Sequence, residues 1–259
     1  MRILKRTCLL SLFAALFVCL AFLPARAEIL TSETSLSVCQ KVAPLLETEL
    51  SELGVDLGNP IFIRIFKESR ELELWVQQDE EYRLFKTYAI CNLSGKLGPK
   101  LKEGDEQSPE GFYAVSERQL NPNSRYHLSF DIGYPNTYDK LRGRTGSALM
   151  IHGDCISVGC FAMTDSRIEE IYTLAQEALR NGQGFFRVHI FPFRMTEANM
   201  KKHKRSKWFS FWQNLKEGYD YFEQTKMPPQ INVKGKRYVC EPDYTETAGN
   251  QRRSNQIYN

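Results

Sequence analysis

The spacing of apolar and polar positions changes period along the chain. From Ser37 to Leu53, apolar residues fall at Val38, Val42, Leu45, Leu46, Leu50 and Leu53. That spacing predicts one face of a helix, stopped by Gly54. Period two then takes over. Pro60-Ile-Phe-Ile-Arg-Ile-Phe66 and Glu71-Leu-Glu-Leu-Trp-Val76 alternate, and Tyr82 to Cys91 reads as a third strand. Charged turns at Lys67–Arg70 and Gln77–Glu81 separate the three, which predicts an antiparallel meander. Residues 92–111 are rich in Gly, Pro, Lys and acids and read as a long exposed loop. Phe112–Ser116, Tyr126–Ile132 and Ala148–His152 are strand-like, and Gly153 breaks the last.

At Asp165 the helical period returns. Ile168, Ile171, Leu174, Ala175, Ala178 and Leu179 share a face, Gly182 ends it, and Ser166 with Glu169 has capping-box spacing. Phe185–Phe191 predicts a strand halted by Pro192. Helical pieces follow to about Tyr221, and Pro228-Pro229 opens a terminal extension. The polar residues 241–259 predict a flexible tail.

The first 27 residues follow a different logic. Arg2, Lys5 and Arg6 precede an almost unbroken apolar run, Cys8 to Leu23, and Ala25-Arg26-Ala27 offers small residues before Glu28. This is the pattern of a cleaved export signal. A spanning helix needs roughly 20 apolar residues, and this run is shorter and ends at Pro24. A lipid anchor at Cys19 is disfavoured by bulky Val18 before it. The mature protein is expected to be soluble outside the inner membrane.

Composition adds limits. Of 259 residues, 42% are hydrophobic and 25% charged, enough to build a core and too apolar for disorder. The net charge is +3, and removing the four basic residues of the export signal leaves 30 basic against 31 acidic side chains, a net of −1. Global charge therefore gives no case for a nucleic-acid partner. The basic run Lys201, Lys202, Lys204, Arg205 and Lys207, ahead of Trp208, Phe209, Phe211 and Trp212, reads as a helix with one solvated and one buried face.

Export alters the reading of cysteine. Cys39, Cys91, Cys155, Cys160 and Cys240 remain, an odd number, so a monomer keeps at least one free thiol. The stretch Ile151-His-Gly-Asp-Cys-Ile-Ser-Val-Gly-Cys-Phe-Ala-Met-Thr-Asp165 concentrates the chemistry. Acyl transfer at a thiol needs a thiolate, a base that takes and returns its proton, and N–H groups facing the developing oxyanion. His152 suits the base and Cys160 the nucleophile. Gly159 lets the chain turn sharply and aim amides inward. Cys155 competes for the nucleophile's role, or bridges to Cys160. His152, Cys155, Cys160 and His189 are also metal-ligand types, but their spacings match no standard zinc pattern. No metal or other cofactor is expected. Classes other than an enzyme are a non-catalytic binding module and a redox or metal protein built on Cys155 and Cys160.

His152-Gly153 followed by Ser157-Val-Gly-Cys160 resembles the signature of the YkuD-type L,D-transpeptidase catalytic domain. The run from Ser157 to Asp165 resembles the YafK branch of that family. So do Ile63-Arg-Ile-Phe-Lys67, Gly98-Pro99, Ser108-Pro-Glu-Gly-Phe-Tyr113, Ile132-Gly-Tyr-Pro-Asn136 and Phe191-Pro-Phe-Arg-Met195. The resemblance spans roughly residues 59–240. It implies a β-rich α+β fold, a mixed β-sandwich with flanking helices, acting in the periplasm on peptidoglycan stem peptides. It also implies that Cys160 forms a thioester with the acyl group of diaminopimelate, that His152 is the base, that the Gly159 and Cys160 backbone serves the oxyanion, and that Ser157 orients the site. The YafK branch is similar to a hydrolytic version that cuts the amide between diaminopimelate and an outer-membrane lipoprotein; other members cross-link peptides or attach that lipoprotein. Many members carry a second histidine where this chain has Val158, and their catalytic histidine lies further upstream.

The expected organisation is thus an export signal (1–27), a helical lead (28–58), a catalytic domain (59–195), a helical extension packed on it (196–240) and a tail (241–259). Arg144 is a candidate grip for a substrate carboxylate, with Arg142 a weaker one. Tyr134 is a candidate cleft residue. Asp154 can orient His152 or form a plain turn, and His127 and His189 read as ordinary strand residues.

Overall fold

The computed structural model of the chain describes residues 29–242. The expected export signal, and the expected tail from residue 243 onward, lie outside the described residues.

Helix α1 (Glu33–Ser51) begins earlier than its apolar spacing predicts, because a cap sets its start. The Ser32 side chain accepts the Ser35 N–H, and the Ser35 side chain accepts the Ser32 N–H, satisfying amides that the first turn leaves unpaired. Strands β1 (Ile61–Phe66), β2 (Glu71–Gln78) and β3 (Glu81–Ala89) form the expected meander. Strands β4 (Asn92–Leu93), β5 (Gly111–Val115), β6 (Leu120–Asn121) and β7 (Ser129–Asp131) follow. After helix α2 (Thr137–Leu141) come β8 (Met150–His152), β9 (Phe161–Ala162), helix α3 (Asp165–Arg180) and β10 (Phe186–Phe191). Helices α4 (Glu197–Lys202) and α5 (Phe209–Thr225) precede a hairpin of β11 (Gln230–Lys234) and β12 (Arg237–Glu241). The extension expected to be helical therefore closes on a β-hairpin, its two strands joined at Gly235-Lys236, where both residues take positive φ.

Two five-stranded sheets carry the architecture, one ordered β3-β2-β1-β10-β5 and one ordered β4-β9-β8-β7-β6. The main core lies between them, with Ile61, Ile63, Ile65, Leu72, Leu74 and Val188 from the first sheet meeting Phe130, Ile151, Phe161 and the apolar face of α3. All of β1 is buried, including its alternate residues Phe62, Arg64 and Phe66. Period two there does not mark a wet face, because α5 and the hairpin cover it. Phe222 packs on Phe62 and Trp75, while Phe112 packs on Tyr238. Arg64 is tolerated because Glu73 and Glu223 pair its guanidinium and the Trp75 and Phe222 rings flank it.

Two local expectations fail for identifiable reasons. Thr164, at φ 76°, is the cap position of α3, and no side chain caps it; Ser166 already lies inside the first turn, and Glu169 accepts from Lys41 and His127 instead. Residues 92–111 are not simply exposed. Pro99, Lys100, Ser108 and Glu110 are buried, for a reason that belongs to the site.

Candidate active site

The site is built on the second sheet. β8 runs parallel to β9, with Ile151 beside Phe161 and His152 beside Ala162; β7 runs antiparallel to β8, with Asp131 beside Met150 and Ser129 beside His152. Paired residues point to the same side of a sheet, and successive residues to opposite sides. Phe130, Ile151 and Phe161 enter the core. Asp131, Met150, Ser129, His152 and Ala162 therefore share the other face. Extending the register by one residue sets Cys160 beside Met150, and the Met150 N–H lies 3.4 Å from Cys160 Sγ. The strand pairing thus brings thiol and imidazole to one face in adjacent rows, and the small Ala162 leaves room beside the ring.

His152 is 2% exposed. Its Nδ1 lies 2.6 Å from the Gly153 carbonyl, which can only accept, so Nδ1 holds the proton and Nε2 keeps its lone pair. Burial lowers the imidazole pKa below its ordinary 6.5, against smaller opposing effects of that hydrogen bond and of Asp154. The ring is a neutral base in the competent tautomer. Tyr126 lies over it, centroids 4.7 Å apart. Asp154 does not hydrogen-bond the imidazole; it forms a turn, its carbonyl accepting the Thr164 N–H and its own N–H reaching Asp165 Oδ1.

Cys160 is free and half-buried. Its Sγ lies 3.7 Å from the Ala148 carbonyl. Burial pushes the thiol pKa above 9.0 and Asp131 adds to this, while the Met150 N–H and Lys100 oppose. The resting pair is thus a neutral thiol and a neutral imidazole. No hydrogen bond joins them directly among the described residues, which is common before substrate binds.

Cys155 bridges Cys91, not Cys160. The disulfide removes Cys155 from the candidate nucleophiles and ties the β8–β9 loop to the end of the meander. Gly159, at φ 89°, occupies backbone space that an L side chain rarely adopts, and a Cβ there would meet Leu149 at 3.3 Å. Its N–H, expected to face an oxyanion, donates instead to Ser94 Oγ at 2.7 Å. The Cys160 N–H makes no hydrogen bond among the described residues and remains the available donor. The Ser157 hydroxyl is buried and unpartnered, so it orients nothing in this state.

Ser94 is a residue that sequence reasoning missed, as is Ser108, whose Oγ donates to the Cys160 carbonyl at 3.3 Å. Both belong to the segment expected to be an exposed loop. It is buried because Lys67 Nζ donates to the Gly98 and Ser108 carbonyls and to Glu110, while Glu110 also accepts the Gly98 N–H and Trp212 Nε1. Lys67, Gly98-Pro99 and Ser108-Pro-Glu110, scattered in sequence, are one polar network beside the β8–β9 loop.

A cleft of about 940 Å³ adjoins this face at Asp131, lined also by Gln119, Tyr134, Lys140, Ala148 and others; neither Cys160 nor His152 lines it. Tyr134 walls it, its hydroxyl donating toward the Lys100 and Thr145 carbonyls. Arg144 is not in this cleft. Its Nη1 pairs with Asp139 at 2.7 Å, and it lines a separate hollow with Arg142, Lys207 and Arg237. The acid that holds it, five residues upstream, carried no signal of its own in the sequence. His189 is a buried strand residue, whereas His127 sits in a turn beside Glu169. Among the described residues no cluster of three or more His, Cys, Asp or Glu is arranged to hold a metal.

The fold and this site define a class, and comparison with known proteins identifies it. A family model described as YkuD, L,D-transpeptidase catalytic domain, matches residues 61–190. This chain belongs to that family. It falls in the YafK branch: it is 54% identical over 183 residues to a protein of Escherichia coli strain K12 named "Putative L,D-transpeptidase YafK", covering 71% of this chain and 74% of that relative. The relative from Escherichia coli O157:H7 gives the same figures. Among solved structures, a mutant of the helical cell shape determining protein Pgp2 from Campylobacter jejuni aligns with TM-score 0.44 and 23% identity, over 74% of this chain and 64% of that one. Members of the family act on peptidoglycan peptides.

Proposed function

We propose that this protein is a periplasmic cysteine acyl-transfer enzyme that forms a thioester at Cys160 with the acyl group of diaminopimelate in peptidoglycan. The observation that carries this reading is the free Cys160 thiol on the same sheet face as a neutral His152 protonated at Nδ1. His152 Nε2 takes the thiol proton as sulfur attacks the carbonyl carbon. The Cys160 N–H supports the oxyanion. Collapse breaks the amide, and the imidazolium returns its proton to the leaving amine. Water then attacks the thioester, giving its proton to His152, and the acid leaves as the thiol is restored.

The amide we assign is the one joining diaminopimelate to an outer-membrane lipoprotein, as similarity to the YafK branch implies. Export is supported by the amino-terminal pattern and by the Cys91–Cys155 disulfide, which suits an oxidising compartment. The test is incubation of the protein without residues 1–27 with lipoprotein-bearing sacculi, followed by mass analysis. Release of lipoprotein with a new diaminopimelate carboxyl is expected. New cross-links between diaminopimelate residues would make the protein a transpeptidase, and unchanged sacculi would overturn both.

A further inference from the structure

The cleft that adjoins this face at Asp131 contains a carboxylate that the proposed reaction does not use. Asp131 ends β7 and stands in one row with Met150 and Cys160, on the face that carries His152. Asp131 and Ala148, whose carbonyl touches Cys160 Sγ, line the same cleft. Asp131 Oδ1 accepts the Gly133 N–H at 2.7 Å, and Oδ2 accepts no hydrogen bond among the described residues. Asp131 is half-buried, and burial raises its pKa. A carboxylate in such a place is stabilised by a cation that brings its own N–H donors.

Diaminopimelate offers one. When one of its amino-acid centres supplies the attacked carbonyl, the other carries a free ammonium and a carboxylate. The backbone positions of Cys160 and Asp131 stand two strand spacings apart, about 10 Å. Three methylenes, with a bonding distance at each end, cover that span. Lys140 lines the same cleft and offers positive charge to the distal carboxylate.

Resting on the acyl donor proposed above, we infer that Asp131 pairs with the distal ammonium of that donor and selects acyl groups whose side chain ends in an ammonium. Asp131 is then a specificity residue. Arg144, committed to Asp139, has no part in it.

Binding is read by calorimetry in the Cys160→Ala protein, which cannot be acylated. The probes are a diaminopimelate stem peptide and the same peptide acetylated at its distal amine. Acetylation should weaken binding about tenfold to hundredfold. Adding Asp131→Asn, which keeps an acceptor for the Gly133 N–H, should cost the free-amine peptide a similar factor and the acetylated peptide nothing. Equal binding of the two peptides to the Cys160→Ala protein overturns the inference without reference to any Asp131 variant. So does an Asp131→Asn loss that is the same for both peptides. If the expected binding pattern holds while the wild-type protein turns over no sacculi, the reaction fails and the role of Asp131 stands. If wild-type protein processes the acetylated peptide at the unmodified rate, Asp131 fails and the reaction stands.

Discussion

At the scale of single residues, two neutral groups define the proposed chemistry. Burial holds the Cys160 thiol above its ordinary 9.0 and the His152 imidazole below its ordinary 6.5. The signs give a pH dependence. Free thiol reacts as thiolate, so alkylation of Cys160 by iodoacetamide, followed by peptide mapping, should rise about tenfold per pH unit and keep rising past 9.0. A plateau near pH 7 would mean a preformed thiolate–imidazolium pair and contradict this account. Turnover should hold its plateau down to the ordinary imidazole value, with the acid limb of kcat/KM centred below 6.5. His152→Ala should lower kcat by about 10²–10⁴-fold while leaving peptide binding to the cleft in place. Loss of binding with unchanged kcat would make His152 a packing residue.

At the scale of elements, the Cys160 thiol is placed by what braces its loop. The β8–β9 loop is held by the Cys91–Cys155 disulfide, by Ser94 at Gly159 and by Ser108 at the Cys160 carbonyl. Replacing both bridged cysteines with serine should cost about 2–5 kcal/mol in denaturant unfolding, because the bridge closes a loop of 64 residues. Turnover should fall in parallel, since the freed loop carries the thiol; a destabilised variant with full turnover would show that the bridge serves the fold alone. The strands of the meander and the helix of α3 were legible because each is written in local periodicity. The brace was not. Cys91 is 64 positions from its partner, Ser94 is 65 from Gly159, and Lys67 reaches Gly98 and Ser108 across two turns. Composition read residues 92–111 as solvated because their charges are many, whereas Lys67 and Glu110 neutralise each other inside. The candidate pair, His152 and Cys160, lies within a single strand–turn–strand, so local sequence was enough to nominate it. The pairing of Arg144 was not legible, because its partner, Asp139, is brought to it by the capped turn of α2.

At the scale of the whole molecule, two layers flank the first sheet: the second sheet with α1 and α3 on one side, α5 and the hairpin on the other. The outer layer buries His189 between Phe62 and Phe112 with neither ring nitrogen hydrogen-bonded among the described residues. Burial, with Arg187 and Arg64 nearby, pushes its pKa well below 6.5. The folded protein therefore keeps this imidazole neutral while the unfolded chain takes up a proton as pH falls through that value. Stability is full above about pH 6.5 and declines below it, by up to about 1.4 kcal/mol per pH unit from this group. Urea unfolding between pH 7.5 and pH 5, in wild type and His189→Phe, should show a shallower loss in the variant; equal slopes would remove His189 as the cause. The central claim, that one sulfur carries the acyl group, is tested most directly by intact-protein and peptide mass spectrometry after acid quench with a diaminopimelate peptide substrate. The expected result is a single acyl adduct on the peptide containing Cys160, absent from Cys160→Ala. An adduct at Cys39 or Cys240, or turnover undiminished in Cys160→Ala, would contradict it.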